Sequence, residues 1–264
     1  MRSEVTKLWN LFSDQNRSER VQNLLEINLN RLLYNRKPEI ANTYEEFLGT
    51  VAHRYPELFA LLSPSGEAEE AVQWVRSEFN RFARGKRLPF PSYYNADKSF
   101  AILCYALVRF LKPRLVIETG VGYGMTSAII LHAMERNSTG NLISIDLPPL
   151  SDPRGTFIGI AVQEHFRQRW TLRFGRGRSV LPQVLNTKVD LGLFVSDSAN
   201  VYTMQRYEFL IAWSKLQPMG ACLFNNISYK FQQFLSSIPD TQYYSIRQLE
   251  KPSCVTGLIL KRYP

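Results

Sequence analysis

The run Leu115-Val116-Ile117-Glu118-Thr119-Gly120-Val121-Gly122-Tyr123-Gly124-Met125-Thr126-Ser127 constrains the fold more than any other part of the chain. Its apolar, β-branched opening has no polar alternation, as expected of a parallel strand covered on both faces. The glycines at 120, 122 and 124 mark a turn where the backbone can take positive φ and a ligand can approach without meeting a Cβ. Thr126 and Ser127 then open a helix that continues through Ala128-Ile129-Ile130-Leu131. Taken by itself, the string is also compatible with an ordinary strand-to-helix turn.

A dinucleotide fingerprint, G-x-G-x-x-G, requires its third glycine at position 125, which is Met125 here. Glu118 lies two positions before the first glycine, where it would repel a pyrophosphate but suit a cationic or amino-bearing ligand. A nicotinamide-dependent oxidoreductase is therefore the weakest of the readings.

Upstream, apolar groups at helical spacing (Leu24 to Leu33, Phe47 to Ala52, Ala71 to Phe82) predict a helical N-terminal region over 1–88. Pro89, Pro91 and the pair Tyr93-Tyr94 read as a linker. Phe100 to Leu111 is expected to be a helix feeding the first strand. Further strands are expected at 142–145, 171–174, 190–195, 220–224, 243–249 and 255–261, with helices at 125–136, 201–216 and 230–237 among them. Strands alternating with helices imply a parallel sheet with right-handed crossovers. Only five residues separate the last two strands, too few for a helical crossover, so these two should pair antiparallel. The expected fold class is thus α/β: a Rossmann-like sheet of seven strands ending in a hairpin, over 89–264.

With 264 residues and 45% hydrophobic content, the chain can bury a large core. No apolar run approaches the ~20 residues of a membrane span, and Met1-Arg2-Ser3-Glu4 does not begin a signal peptide. A cytoplasmic location without membrane partners is expected. Cys104, Cys222 and Cys254 sit in separate apolar segments and read as reduced core residues. The net charge of +9 raises a nucleic-acid partner. Against it, Lys and Arg are spread along the whole chain, and the densest group, Arg167 to Arg178, is interleaved with Trp170, Leu172 and Phe174 and reads as solvated flanks of a strand.

Ligands of open α/β sheets bind at the carboxyl ends of the strands, so each end can be read for a role. The second strand ends in Asp146-Leu147, 26 positions after Gly120 in the case of the aspartate, and a carboxylate there can accept hydrogen bonds from ribose hydroxyls. After the third strand, Gly177, Arg178 and Ser179 read as a turn into a helix N-terminus. The fourth strand delivers Asp197 to its end; a buried carboxylate is costly, which makes it the leading candidate for the catalytic region. The fifth strand ends in Asn225-Asn226.

The pattern E-x-G-x-G-x-G, the S-I-D-L-P-P string, the strand ending in D-S-x-x and the P-x-G turn before the fifth strand resemble class I S-adenosylmethionine-dependent methyltransferases. The likeness covers about residues 93 to 261 and is to the small-molecule O-methyltransferase branch, which includes bacterial tailoring enzymes. It implies S-adenosyl-L-methionine as cofactor, held by Glu118, Gly120, Gly122, Gly124, Ser127, Asp146, Leu147, Gly177, Arg178, Ser179 and Asp197. In metal-assisted members of the branch, two acidic residues and an Asn bind a divalent cation; the matching positions are Asp197, Asn225 and Asn226. One carboxylate with two neutral amides is a weak site for a hard dication, so no metal is expected. Among the histidines, His165 is the candidate base, because the insertion between Leu147 and Trp170 would overhang the site. His53 and His132 fall in helices and read as structural or solvated. Tyr93, Tyr94 and Asp97 could line the acceptor side.

The resemblance implies methylation of a hydroxyl on a small-molecule acceptor, a natural product or a saccharide. The alternatives are a cofactor-binding methyltransferase fold with lost or altered activity, and an RNA methyltransferase suggested by the net charge. The helical region is the expected surface for a homodimer.

Overall fold

The structure, a computed structural model, describes residues 17–34, 36, 38, 41–64, 66–91, 95–186, 190–239 and 241–262. Residues 5–16 of the expected helical region, the pair Tyr93-Tyr94 and Val189 lie outside the described residues.

Strand β1, Leu115–Thr119, is central to a seven-stranded sheet. It pairs in parallel with β2, Asn141–Asp146, and with β4, Leu191–Ser196. Beyond β2 lies β3, Trp170–Phe174; beyond β4 lies β5, Leu216–Phe224. The sheet is closed by β7, Val255–Lys261, antiparallel to both β5 and β6, Thr241–Arg247, giving the order β3-β2-β1-β4-β5-β7-β6. The expected terminal hairpin is present. Reversal of strand order about β1 and β4 creates a switch point where the loops after these two strands diverge.

Helices α1 (Arg17–Tyr34), α2 (Tyr44–Arg54), α3 (Pro56–Leu62) and α4 (Glu67–Ala83) precede α5 (Lys98–Leu111), the helix that feeds β1. α6 (Met125–Asn137) follows the glycine turn. α7 (Gly177–Leu185), α8 (Tyr202–Lys215) and α9 (Tyr229–Ser236) complete the crossovers. Period-two alternation divides the core between the two faces of the sheet. Val116, Leu142, Leu193 and Leu223 pack with Phe47, Leu58, Val72, Phe100 and Ile130, whereas Ile117, Ile145, Phe194 and Cys222 pack with Leu181, Phe209 and Phe231. Both faces are covered, which explains why the strands read as unbroken apolar runs. The three cysteines are free and buried.

Several boundaries differ from the sequence reading. β5 begins at Leu216 instead of 220, and β6 stops at Arg247 because the amide of Leu249 turns to a carboxylate, Asp97 Oδ1, at 3.3 Å. The segment after β3 is helical from Gly177 in spite of Pro182. Proline leaves the carbonyl of Arg178 without its helical donor, and the Tyr207 hydroxyl donates to it at 3.0 Å instead.

Candidate functional site

At the carboxyl ends of β1, β2, β4 and β5 lies a cavity of about 1190 Å³. Drug-sized ligands occupy pockets of about 300–1000 Å³, so this one has room for a nucleoside-sized cofactor together with a second small reactant. Its floor is the glycine turn. Gly120 (φ +83°) lies against the end of β4: a Cβ there would stand 2.2 Å from the Asp197 carbonyl oxygen. Gly124 (φ +84°) lies equally close to the insertion, 2.7 Å from the Gly159 Cα. The first closeness joins the strand ends; the second brings the insertion onto the turn. The insertion is held there by two backbone bonds, Gly159 N–H to Gly122 O at 3.0 Å and Ala161 N–H to Tyr123 O at 2.8 Å.

Four acidic side chains are built around this floor. Asp146 Oδ2 accepts the amides of Val121 (3.0 Å) and Gly122 (2.8 Å), fixing the turn and placing the carboxyl in the cavity wall. Asp197 lines the cavity opposite, and Asn225 Nδ2 donates to its Oδ1 at 2.5 Å. Glu208, reaching in from α8, accepts Ser196 Oγ at 2.7 Å and Ser198 Oγ at 3.1 Å. Burial raises all three above the usual carboxylate range, Asp197 and Glu208 to about 7. Beneath them Glu118 is fully buried, with Oε2 accepting Ser127 Oγ (2.5 Å) and Ser144 Oγ (2.6 Å). Burial carries this carboxyl to about 8, and the ionised neighbours Asp197 and Asp146 push in the same direction.

The residues expected to act at the site therefore separate into two groups. Gly120, Gly122, Asp146, Leu147, Gly177, Asp197, Asn225 and Asn226 all line the cavity. Glu118 and Ser127 do not: they bond to each other under the turn, because the strand's alternation sends Glu118 into the core. Gly124 is covered by the insertion. Arg178 points away, clasping Glu26 of α1 at 2.6 Å, and Ser179 continues α7 outside the cavity wall. His165 lies at the surface 3.9 Å from Glu135, so it is not poised as a base there. Asp97 is buried as the N-cap of α5 and does not reach the acceptor side. Nor are the arginines after β3 all solvated: Arg176 is buried, with its guanidinium on Glu26 at 2.5 Å and Gln22 at 2.9 Å.

Other cavity residues went unrecognised in the sequence. Gln248 and Lys251 belong to the loop between β6 and β7, which Asp97 holds over the site by accepting the amides of Glu250 (2.7 Å) and Lys251 (3.1 Å) on Oδ2. Gln248 Nε2 donates to Asn225 Oδ1 at 2.5 Å, and the Lys251 ammonium donates to the Asn95 carbonyl at 2.8 Å. Phe90 closes the far side, its ring stacked on Tyr123 with centroids 3.8 Å apart. α1 adds Asn23, Leu24, Ile27 and Arg31 to the wall. The composition of Gln, Asn and helix-borne Glu residues gave no local signal.

The trio Asp197, Asn225 and Asn226 does not fit a divalent metal. Asn225 turns its amide N–H to Asp197 and gives its oxygen to Gln248, leaving one carboxylate where a hard cation needs several oxygen donors. Among the described residues there is no cluster of three or more His, Cys, Asp or Glu arranged to hold a metal, and no helix is long and apolar enough to cross a membrane.

Residues 117–227 match the family described as "Methyltransferase domain". No curated protein matches the chain. Among solved structures, the chain is similar to a candidate O-methyltransferase from Klebsiella pneumoniae, with 13% identity over 82% of this chain and 100% of that one and a TM-score of 0.57. It is similar also to the O-methyltransferase TomG of tomaymycin synthesis from Streptomyces achromogenes, solved with S-adenosylmethionine, with 16% identity, 84% and 100% coverage and a TM-score of 0.53. A methyltransferase from Geobacter sulfurreducens gives 14% identity, 85% and 100% coverage and a TM-score of 0.53. Domain match and architecture agree: the chain has the fold of the class I methyltransferases, and the solved structures similar to it include O-methyltransferases.

Proposed function

We propose that this protein is an S-adenosylmethionine-dependent methyltransferase that methylates a hydroxyl group of a small molecule, a natural product or a saccharide. The observation that carries the reading is the set of three buried carboxyls gathered at the strand ends, in a lining that also holds Arg31, Arg176 and Lys251. Asp146, Asp197 and Glu208 face one space, and their nearest hydrogen-bond donors are amides and hydroxyls, not cations. Carboxyls buried in this way favour a positively charged ligand beside them, because its arrival offsets the cost of ionising them. S-Adenosylmethionine, when bound, supplies an electrophilic methyl group on a positively charged sulfur.

The residues divide the work by position. Asp146 would hold the ribose hydroxyls while its other oxygen keeps the glycine turn in shape. The open backbone face at Gly122, with only Phe90 approaching a Cβ position there at 3.9 Å, leaves room beside the turn. Asp197 is the carboxylate best placed to take the acceptor's proton, since a group near pH 7 can both accept and release it under neutral conditions. Asn225, itself oriented by Gln248, holds Asp197 in one rotamer. The amides of Asn95, Asn200, Asn226 and Gln248 surround the rest of the cavity and suit a hydroxyl-rich acceptor. Alignment and exclusion of water supply most of what remains.

Isothermal titration with S-adenosylmethionine and S-adenosylhomocysteine tests the cofactor, and mass spectrometry over a panel of phenols, polyketides and sugars tests the acceptor. Binding with a gain of one methyl group on a hydroxyl supports the proposal. No binding of either nucleotide overturns it.

A further inference from the structure

α1 is built inside out. At 100° per residue, Ser18, Val21, Gln22, Leu25, Leu29, Leu32 and Leu33 fall within an arc of about 120°, and none is charged. The leucines of this arc are the most exposed large apolar residues of the helix, Leu32 at 81% and Leu25 at 65%. The opposite face carries the polar residues and is the one that packs on the protein. Arg20 and Asn30 are buried there; Asn30 Nδ2 donates to Thr203 Oγ1 at 2.8 Å, and Glu26 clasps Arg176 and Arg178. A helix docked by its polar side with a leucine stripe turned outward has its apolar surface still to bury.

We infer that the stripe Val21–Leu25–Leu29–Leu32–Leu33 is the dimer interface of this protein, pairing antiparallel with the same stripe of a second copy about a twofold axis. Three features of the helix select a second copy. The arc is free of charge, so like can meet like without repulsion, although the whole chain carries a net charge of +9. Its five apolar side chains are 38–81% exposed, an area on the order of half the ~800 Å² that each partner of a stable dimer buries, and Asn28 borders it on one side. Antiparallel pairing also sets opposed helix dipoles side by side and gives the isologous contact of a twofold dimer. A membrane surface is the weaker occupant: of the three arginines of the helix, Arg20 is buried against the protein and Arg31 lines the cavity, so no basic rim flanks the stripe along its length. Because Leu24 and Ile27 of the same helix line the cavity, dimerisation would clamp one wall of the site in both copies.

Sedimentation velocity and light scattering across the micromolar range test the inference on the full chain. The wild type should weigh twice one chain. Leu25→Glu/Leu32→Glu should raise the dissociation constant by on the order of a hundredfold, while keeping the wild-type circular dichroism and melting temperature at dilutions where both are monomers. Leu25→Met/Leu32→Met, which conserves apolar volume, should remain dimeric. A monomeric wild type overturns the inference, as does a dimer indifferent to the glutamates. Sedimentation of a monomeric wild type with phosphatidylcholine–phosphatidylserine vesicles, abolished by the double glutamate variant, would also overturn it and assign the stripe to a lipid surface.

Discussion

Replacing Glu118 by Gln should leave ligand binding nearly intact and remove a large part of the protein's pH-dependent stability. Burial holds the Glu118 carboxyl near 8 against an ordinary value of 4.5, so in neutral solution the folded protein keeps a proton that the unfolded chain releases. A raised folded value stabilises the protein fully below the unfolded value, and that stabilisation is lost as pH climbs through about 8. At about 1.4 kcal/mol per tenfold, the contribution at pH ~5 is on the order of 4 kcal/mol and falls towards zero by pH ~9. Gln is the neutral isostere: its oxygen can still accept Ser127 and Ser144, and its amide takes the place of the protonated oxygen. Urea unfolding of wild type and E118Q from pH ~5 to ~9 gives a difference curve in which Asp197 and Glu208, present in both, cancel. That difference should change by several kcal/mol in favour of the variant as pH rises, or on the order of 10 °C in melting temperature. A flat difference would refute the assignment of Glu118 as a buried proton store. A loss of S-adenosylmethionine affinity beyond a few fold in E118Q would restore it as a ligand contact.

Asp146→Ala should weaken S-adenosylmethionine binding by on the order of a hundredfold in calorimetry, because it removes charge-assisted hydrogen bonds and frees the amides of Val121 and Gly122. In the wild type, affinity for this cation should rise from pH ~6 to ~8 as Asp197 and Glu208 ionise; D197N should lose part of that dependence and about 10²–10⁴ in kcat, with KM for the acceptor changing far less. Gly120→Ala should destabilise the fold by at least ~2 kcal/mol in urea unfolding, since the left-handed backbone and the Asp197 carbonyl 2.2 Å from the added carbon both oppose it.

What could be read from the sequence was local. The glycine turn, the strands around it and the Asp at the end of each of β2 and β4 announce themselves within a few residues, because strand alternation and turn chemistry are short-range. The strand's period does not say which face is the ligand's, which is why Glu118, beside the turn in sequence, proved to be under it. Gln248 and Lys251 owe their place to Asp97, some 150 positions earlier, whose carboxylate gathers their loop through backbone amides. Glu208 sits in mid-helix, where a charge ordinarily means a solvated face. α1 gave the opposite lesson: its apolar spacing correctly marked a helix, yet periodicity carries no information about which way an apolar stripe turns.

The set of buried carboxyls in the lining and the inverted helix have one origin in the distribution of arginine. A buried carboxylate is usually neutralised by the nearest guanidinium, and the chain does supply Arg176 in the cavity wall and Arg178 just outside it. Glu26 takes both of them, so the hydrogen bonds to Asp146, Asp197 and Glu208 come from amides and hydroxyls, and burial keeps their proton affinity high although Lys251 and Arg178 pull Asp197 and Glu208 the other way. The same ion pairs dictate how α1 docks, since engaging the arginines requires the polar side of the helix to face inward and the leucines outward. Breaking the clasp would therefore act twice: it would free two guanidinium groups to neutralise the lining, lowering the preference for a cation, and it would remove the force that presents the leucine stripe. The proposed preference for a positive ligand and the proposed dimer surface thus trace to one residue, Glu26.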